Sequence, residues 1–380
     1  REETPPIRVE TRRAGWGSGL TMLTCMQNLL PHLTVRDQAR ALAHGLAATA
    51  ADSAGSAPRF PMEPLPGAPP SVAICHGWFR EFVESRDGDG AERCLLTALA
   101  AGATPTEIAH MLFAACTDHR YLNGGHVLDF TNKALEALDH AGWCPELAGQ
   151  VLSGLCSQYA GAQRFEESRS WQAPVDLTAL LRDAFVELPK ALAAGQQQAP
   201  QTAATPAPEL VEALMGDDAA AGLQALVMAL RAGRAPVDLA ADVAYCAALR
   251  IAQYHTSNEH GDWDRVLHTF TFANAVQQGL KRAPSAALTR GLFDAAASLY
   301  LDRFLNVPSA RLPTAKDKAN EPAALLVDFA ILLDHQQQVD PAGELVARYL
   351  HGDGDPDAML QTLGALLLRE DRDFHSIQMI

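Results

Sequence analysis

Residues 99–138 read LAAGATPTEIAHMLFAACTDHRYLNGGHVLDFTNKALEAL, and this stretch decides the fold. A leucine is followed six residues later by a proline, the proline opens an apolar helical run, and a histidine opens the next run. The same order recurs in LRAGRAPVDLAADVAYCAALRIAQYHTSNEHGDWDRVLHTFTFANAVQQGL (230–280) and in LHGDGDPDAMLQTLGALLLREDRDFHSIQMI (350–380). Leu99, Leu230 and Leu350 thus precede Pro105, Pro236 and Pro356, and the copies reach His126, His268 and His375. Thr104, Ala235 and Asp355 take the N-cap position, with Glu107, Asp238 and Asp357 shortly after. Each copy therefore reads as a helix–turn–helix unit. In the first two the match runs on, His126, Phe130 and Asn132 lying over His268, Phe272 and Asn274. Three equivalent helices can bring three imidazoles to one place, which is how an all-helical protein builds a metal site. The third copy stops five residues after His375, inside an expected helix, which suggests either a natural chain that continues or a disordered end.

Working outward, helical periodicity covers most of the 380 residues, Ala and Leu dominate, and aromatic residues are only 6%, so strand-forming composition is scarce. The expectation is an all-α fold, a multi-helix bundle built from repeated helix–turn–helix units. It is read as a single large helical domain over 1–380, with possible subdomains 1–193 and 209–380 joined by the low-complexity linker AGQQQAPQTAATPAP around 194–208. Proline-rich breaks at 53–71 and 306–321 either separate subdomains or cross the surface.

With 30 Lys and Arg against 45 Asp and Glu, the net charge of −15 repels phosphate backbones and anionic membranes, so nucleic acid is not expected as a partner. The longest apolar run, 323–333, is broken by Asp328 and falls short of the roughly 20 residues that span a bilayer. Residues 1–15 lack an apolar signal segment. Seven scattered cysteines with no C-x-x-C pair read as reduced, buried thiols in a cytoplasm.

Imidazole is then the group left to carry chemistry. The repeat nominates His126, His268 and His375 as metal ligands, and His126 and His268 are read as helix openers. His119, across the Asn-Gly-Gly turn from His126, and His44, among small residues in QARALAHGLAATA, are further candidates. His255 and His260 rank below these, and the remaining histidines read as ordinary core or surface residues. A set of histidines without thiolates favours iron(II) or another borderline metal over structural zinc. Asp118, Asp129, Asp262, Asp264, Asp371 and Asp373 crowd the same motifs and could hold the rings' other nitrogens. Glu107 and His110 form a single E-x-x-H pair, where a di-iron bundle needs two. Nucleotide-binding and nucleophile-elbow motifs are absent from the sequence.

The spacing from Glu107 through His119 and Leu122 to His126 resembles the alkylhydroperoxidase D and carboxymuconolactone decarboxylase family, whose peroxidase motif is E-x11-C-x2-C-x3-H after a similar turn. Glu107 and His126 match, but His119 and Leu122 stand in the two cysteine places, so dithiol peroxidase chemistry does not carry over. Longer segments, 250–276, 300–313 and 367–380, resemble bacterial proteins described as Rieske-domain-containing, whose helical region is similar to the questin oxidase family. That resemblance implies a mononuclear non-haem iron held by several histidines, in some members with a carboxylated lysine, and oxygenation of fused aromatic polyketides. Lys133, seven residues after His126 and on the same helix face, is the lysine to test. The Rieske pattern C-x-H…C-x2-H is absent, Cys75 and His76 being adjacent, so an iron–sulfur domain or ferredoxin partner would lie outside this chain.

The sequence thus leads to an expected cytoplasmic non-haem iron oxygenase with Fe(II), O2 as co-substrate and a hydrophobic, aromatic small molecule as substrate. Two other readings stay open. One is a non-catalytic helical-repeat interaction module; the other is metal-free acid–base chemistry, decarboxylase-like, by Glu107 with His126.

Overall fold

The computed structural model describes residues 15–379 except 58, 202–203, 256, 316–320, 336–337 and 370–372. Among these residues the protein is all-α, with one isolated bridge between Gln201 and Arg234 and no strand. No helix among them is long and apolar enough to cross a membrane.

The repeat is visible in the backbone. In each copy the helix carrying the leucine ends in a Schellman turn, whose two hydrogen bonds satisfy carbonyls that the helix end leaves bare. Gly102 N–H donates to Leu99 O and Ala103 N–H to Ala98 O, at 3.0 Å each. Gly233 N–H donates to Leu230 O and Arg234 N–H to Ala229 O, and Asp353 N–H donates to Leu350 O and Gly354 N–H to Tyr349 O. The residue three after each leucine is left-handed, Gly102 at φ 81°, Gly233 at 95° and Asp353 at 59°. Proline then stands at the first turn of the helices Pro105–Cys116, Pro236–Ala252 and Pro356–Leu367. Thr104 and Glu107 form a full capping box, Asp355 caps with its carboxylate, and Ala235 makes no side-chain cap.

The contacts divide the chain into two compact units, one of residues 1–17 and 55–308 and one of 18–54 and 309–380. These breaks do not fall at 194–208. On either side of that linker the helices Leu177–Gly195 and Ala219–Arg231 pack against each other, because Gly195 lets the backbone of Leu230 come close.

In the larger unit the helix Ala286–Leu301 is buried along nearly its whole circumference, from Leu288 to Tyr300, as a central helix must be. Around it pack the helices Pro105–Cys116, Leu177–Gly195, Ala219–Arg231, Pro236–Ala252 and His260–Arg282. Its one buried acid in mid-helix, Asp294, accepts two bonds from Arg120 at 2.8 and 3.1 Å, and Arg120 lies 4.5 Å over the Phe185 ring. In the smaller unit the helices Ser18–Leu29 and Val35–Ser53 pair closely, Gly19 against Ala48 and Thr49, Gly45 against Leu23. Two apolar clusters hold it together. Met26, Leu29, Leu33, Ala41, Leu367, Leu368 and Ile377 form one, and Leu325, Phe329, Ala342, Tyr349 and Met359 the other.

Candidate metal centre

The chain between Pro105–Cys116 and the helix His126–His140 turns in left-handed backbone, with Tyr121 at φ 46°, Asn123 at 52°, Gly124 at 68° and Gly125 at 95°. Glycine takes such angles without steric cost, which is what Gly124-Gly125 supplies. Gly125 is doubly constrained, since a Cβ there would meet Phe272 and Tyr121 at 3.1–3.2 Å. Hydrogen bonds pin the turn: Asn123 N–H to Gln163 O at 2.8 Å, Phe165 N–H to Arg120 O at 3.1 Å, and Arg120 N–H to the Glu166 carboxylate at 2.8 Å. His126 thereby becomes the first residue of its helix.

His268 does not open a helix. It lies more than two turns inside His260–Arg282, because the helix begins earlier, at the capping box of Glu259 and Asp262. That helix packs beside His126–His140. The two imidazoles face each other with ring centroids 4.4 Å apart and planes at 71°, a nitrogen of one within 4.8 Å of a nitrogen of the other. Behind His126, Nδ1 is 3.3 Å from the buried carboxylate of Asp129, and the same oxygen accepts from the Thr271 hydroxyl at 3.4 Å. Asp129 and Thr271 stand at equivalent places in the repeat, three residues after each histidine, so the pair meets as two like elements face to face. Burial opposes charging His126, but Asp129 outweighs it and holds the imidazole pKa above the ordinary histidine value.

In the smaller unit His375 is the second residue of the helix Phe374–Gln378, half-buried, its ring 5.0 Å from that of Phe374. Asp373 caps this helix by accepting the Ser376 N–H at 2.8 Å, and Ile377 anchors it in the apolar core. His44 lies half-buried mid-way along Val35–Ser53, and among the described residues no set of metal-ligating side chains forms around it.

Three nominated residues are engaged otherwise. His119 sits between two carboxylates, Nε2 at 2.6 Å from Glu84 and Nδ1 at 2.8 Å from Glu166, and among the described residues it is not one of the histidines whose ring nitrogens cluster. Burial raises the Glu166 pKa, but the bonds from His119 and Arg120 hold it below the usual value. Glu107 is exposed and bonds to the backbone and hydroxyl of Thr104 at 2.8 and 2.7 Å, which depresses its pKa. About 14 Å of helix separates it from Cys116, at the end where the turn to His126 begins, so it is no acid–base partner for that histidine. Lys133 pairs with Glu136 at 2.8 Å. Asp118 is likewise taken by Arg80 at 2.6 Å and Arg290 at 3.5 Å, while Asp371 lies outside the described residues.

His268 also lines a pocket of about 320 Å3. Tyr121, Phe165 and Trp171 give it an aromatic wall, with Tyr121 at the centre, its ring 5.4 Å from Phe165, 6.1 Å from Trp171 and 4.9 Å from Phe272. The polar lining besides His268 is Ser170, Asp264, Arg265, Thr269, Ser298 and Asp302. Asp302 accepts from Thr269 Oγ1 at 2.7 Å and Arg265 Nε at 2.8 Å, and burial pushes its pKa up to about 6 against those partners. Apart from Asp264 and the turn glycine Gly124, the sequence marks none of the pocket's residues besides His268. The one available signal was Tyr121 directly before a Leu-Asn-Gly-Gly turn.

No protein-family model matches this chain, and no curated protein or solved structure matches it. The functional reading therefore rests on the residues.

Proposed function

We propose that the protein is a cytoplasmic non-haem iron oxygenase in which His126 and His268 hold one iron(II), with an aromatic small molecule bound in the pocket beside His268. The observation that carries this reading is the facing pair of imidazoles at 4.4 Å, backed by Asp129 and bordered by an aromatic pocket. The donor set fits a borderline metal: imidazoles from separate helices, with no thiolate nominated beside them. Iron(II) held there would supply activation of dioxygen.

The remaining roles fall to side chains of the chain itself. Asp129 accepts the Nδ1 proton of His126 and so fixes the tautomer whose Nε2 is the donor atom. Gly124 lies beside the His268 ring, and a Cβ there would stand 3.8 Å from Nδ1. Tyr121, Phe165 and Trp171 line the pocket and offer flat faces to an aromatic substrate. An electron donor, if the reaction draws on one, would be a Rieske or ferredoxin protein or domain outside the chain described.

Metal analysis of protein purified without oxygen tests the reading. Close to one iron per chain is expected in the wild type, and almost none after His126→Ala with His268→Ala. Stoichiometric iron retained in that double variant would end the proposal.

A further inference from the structure

We propose that Arg80 and Arg290 form a binding site for a phosphate-class oxyanion on the larger unit, beside Asp118. The inference does not rest on the iron reading, since none of these residues belongs to the histidine pair or its pocket.

The chain as a whole carries a net charge of −15, but the balance reverses here. Arg80, on the helix Val72–Glu84, forks onto Asp118, with Nε donating to one carboxylate oxygen and Nη2 to the other, both at 2.6 Å. Arg290, on the central helix Ala286–Leu301, reaches that carboxylate only at 3.5 Å, and this is its one hydrogen bond among the described residues. One negative charge therefore answers two guanidiniums. Other arginines of the unit hold a carboxylate that no second arginine bonds: Arg59 has Glu92, Arg120 has Asp294 and Arg234 has Asp242. Arg290 has no carboxylate to itself. Burial lowers its pKa, Asp118 opposes that, and the like charges of Arg120 and Arg80 lower it further. His76, beside Arg80 and Asp118, has its own pKa lowered by burial and then by Arg80, so at neutral pH it adds no charge and the surplus is that of Arg290.

The two arginines are also open to a dissolved ligand, their side chains being 41% and 35% exposed. A guanidinium has five N–H donors. Arg80 spends two of them on Asp118 and Arg290 spends one. Nη2 of Arg80 and Nη1 of Arg290 meet at the same oxygen of Asp118, so one oxyanion making N–O contacts of about 2.8 Å can bridge the pair. Packing sets the frame, because the helix Pro105–Cys116, which leads into Asp118, lies against the central helix that carries Arg290. The planar fork of each arginine matches phosphate oxygens as it matches a carboxylate.

Isothermal titration calorimetry on the full-length protein at fixed ionic strength tests this, with inorganic phosphate and glycerol 3-phosphate as probes. Wild-type protein should bind at one site per chain. Arg290→Gln should weaken binding about tenfold or more, the worth of a charge-assisted hydrogen bond. Asp118→Asn removes the competing carboxylate and should tighten it. Arg348→Gln, the same change of charge at an exposed arginine of the smaller unit, should leave it unaltered. His126→Ala with His268→Ala should leave it unaltered too, which separates this site from phosphate held on a metal. Circular dichroism checks the fold of every variant. Tighter binding of glycerol 3-phosphate would assign the site to phosphate monoesters, and inorganic phosphate binding at least as tightly would assign it to the free ion. The inference is overturned if wild-type protein shows no saturable binding of either probe, if Arg290→Gln and Arg348→Gln behave alike, if Asp118→Asn weakens binding, or if the double histidine variant abolishes it.

Discussion

Asp129 is the residue on which the centre turns. A histidine presents one nitrogen to a metal, and the bond at its other nitrogen decides which one and how basic it is. His126 has that bond, at 3.3 Å to a carboxylate that is 3% exposed and also receives Thr271. Asp129→Asn should therefore weaken metal binding about 10- to 100-fold, measured by competition with a chelator of known affinity. Glu107 supplies the contrast. Its carboxylate completes a capping box and reaches no imidazole, so Glu107→Gln should leave metal content and any turnover unchanged while lowering the melting temperature slightly. Turnover abolished with metal intact would return Glu107 to catalysis. His119 shows how spacing alone misleads: it stands across the Asn-Gly-Gly turn from His126, yet its ring nitrogens lie 2.6 Å from Glu84 and 2.8 Å from Glu166.

At the scale of elements, the turn ahead of His126–His140 decides whether the two histidine helices can meet. Its left-handed run ends at Gly125, where an added methyl would face both the strain of φ 95° and contacts at 3.1–3.2 Å with Phe272 and Tyr121. Gly125→Ala should cost roughly 1–2 kcal/mol from the backbone alone, read by chemical denaturation, and should weaken metal binding as well if the turn sets the His126 position. Gly102→Ala offers a control. It is strained at φ 81° but opens to empty space, so it should cost stability and spare the metal. Unchanged metal affinity in Gly125→Ala would show that helix packing, not the turn, positions the ring. The repeat is most faithful in its Schellman turn and proline and least faithful at the histidines: one opens a helix, one lies deep inside a helix, one sits in a short terminal helix.

For the whole molecule, two buried acids give a pH dependence that can be read separately. Asp294 and Asp302 are pushed up to about 6 from 3.8, burial outweighing Arg120 in one case and Arg265 and Thr269 in the other. A carboxyl whose folded pKa is raised stabilises the fold below its unfolded pKa, and that contribution is lost as pH rises through the folded value. Wild-type protein should thus lose stability relative to Asp302→Asn between pH 4 and pH 7, by up to roughly 3 kcal/mol. Urea unfolding across that range measures it, and a pH-independent difference would contradict the assignment. Sequence alone determined the all-α class, the threefold turn and the proline at each helix start, because these follow from local propensity, capping and the conformational freedom of glycine. It also marked His126 and His268 as counterparts, since a repeat preserves register. Only tertiary structure decided which imidazoles carboxylates had already claimed, that Glu107 caps a helix, that the compact units do not divide at 194–208, and that Tyr121, Trp171 and Ser298, far apart in the chain, line one pocket. Those outcomes depend on which faces of distant helices are buried against each other, and neighbouring residues carry no record of that.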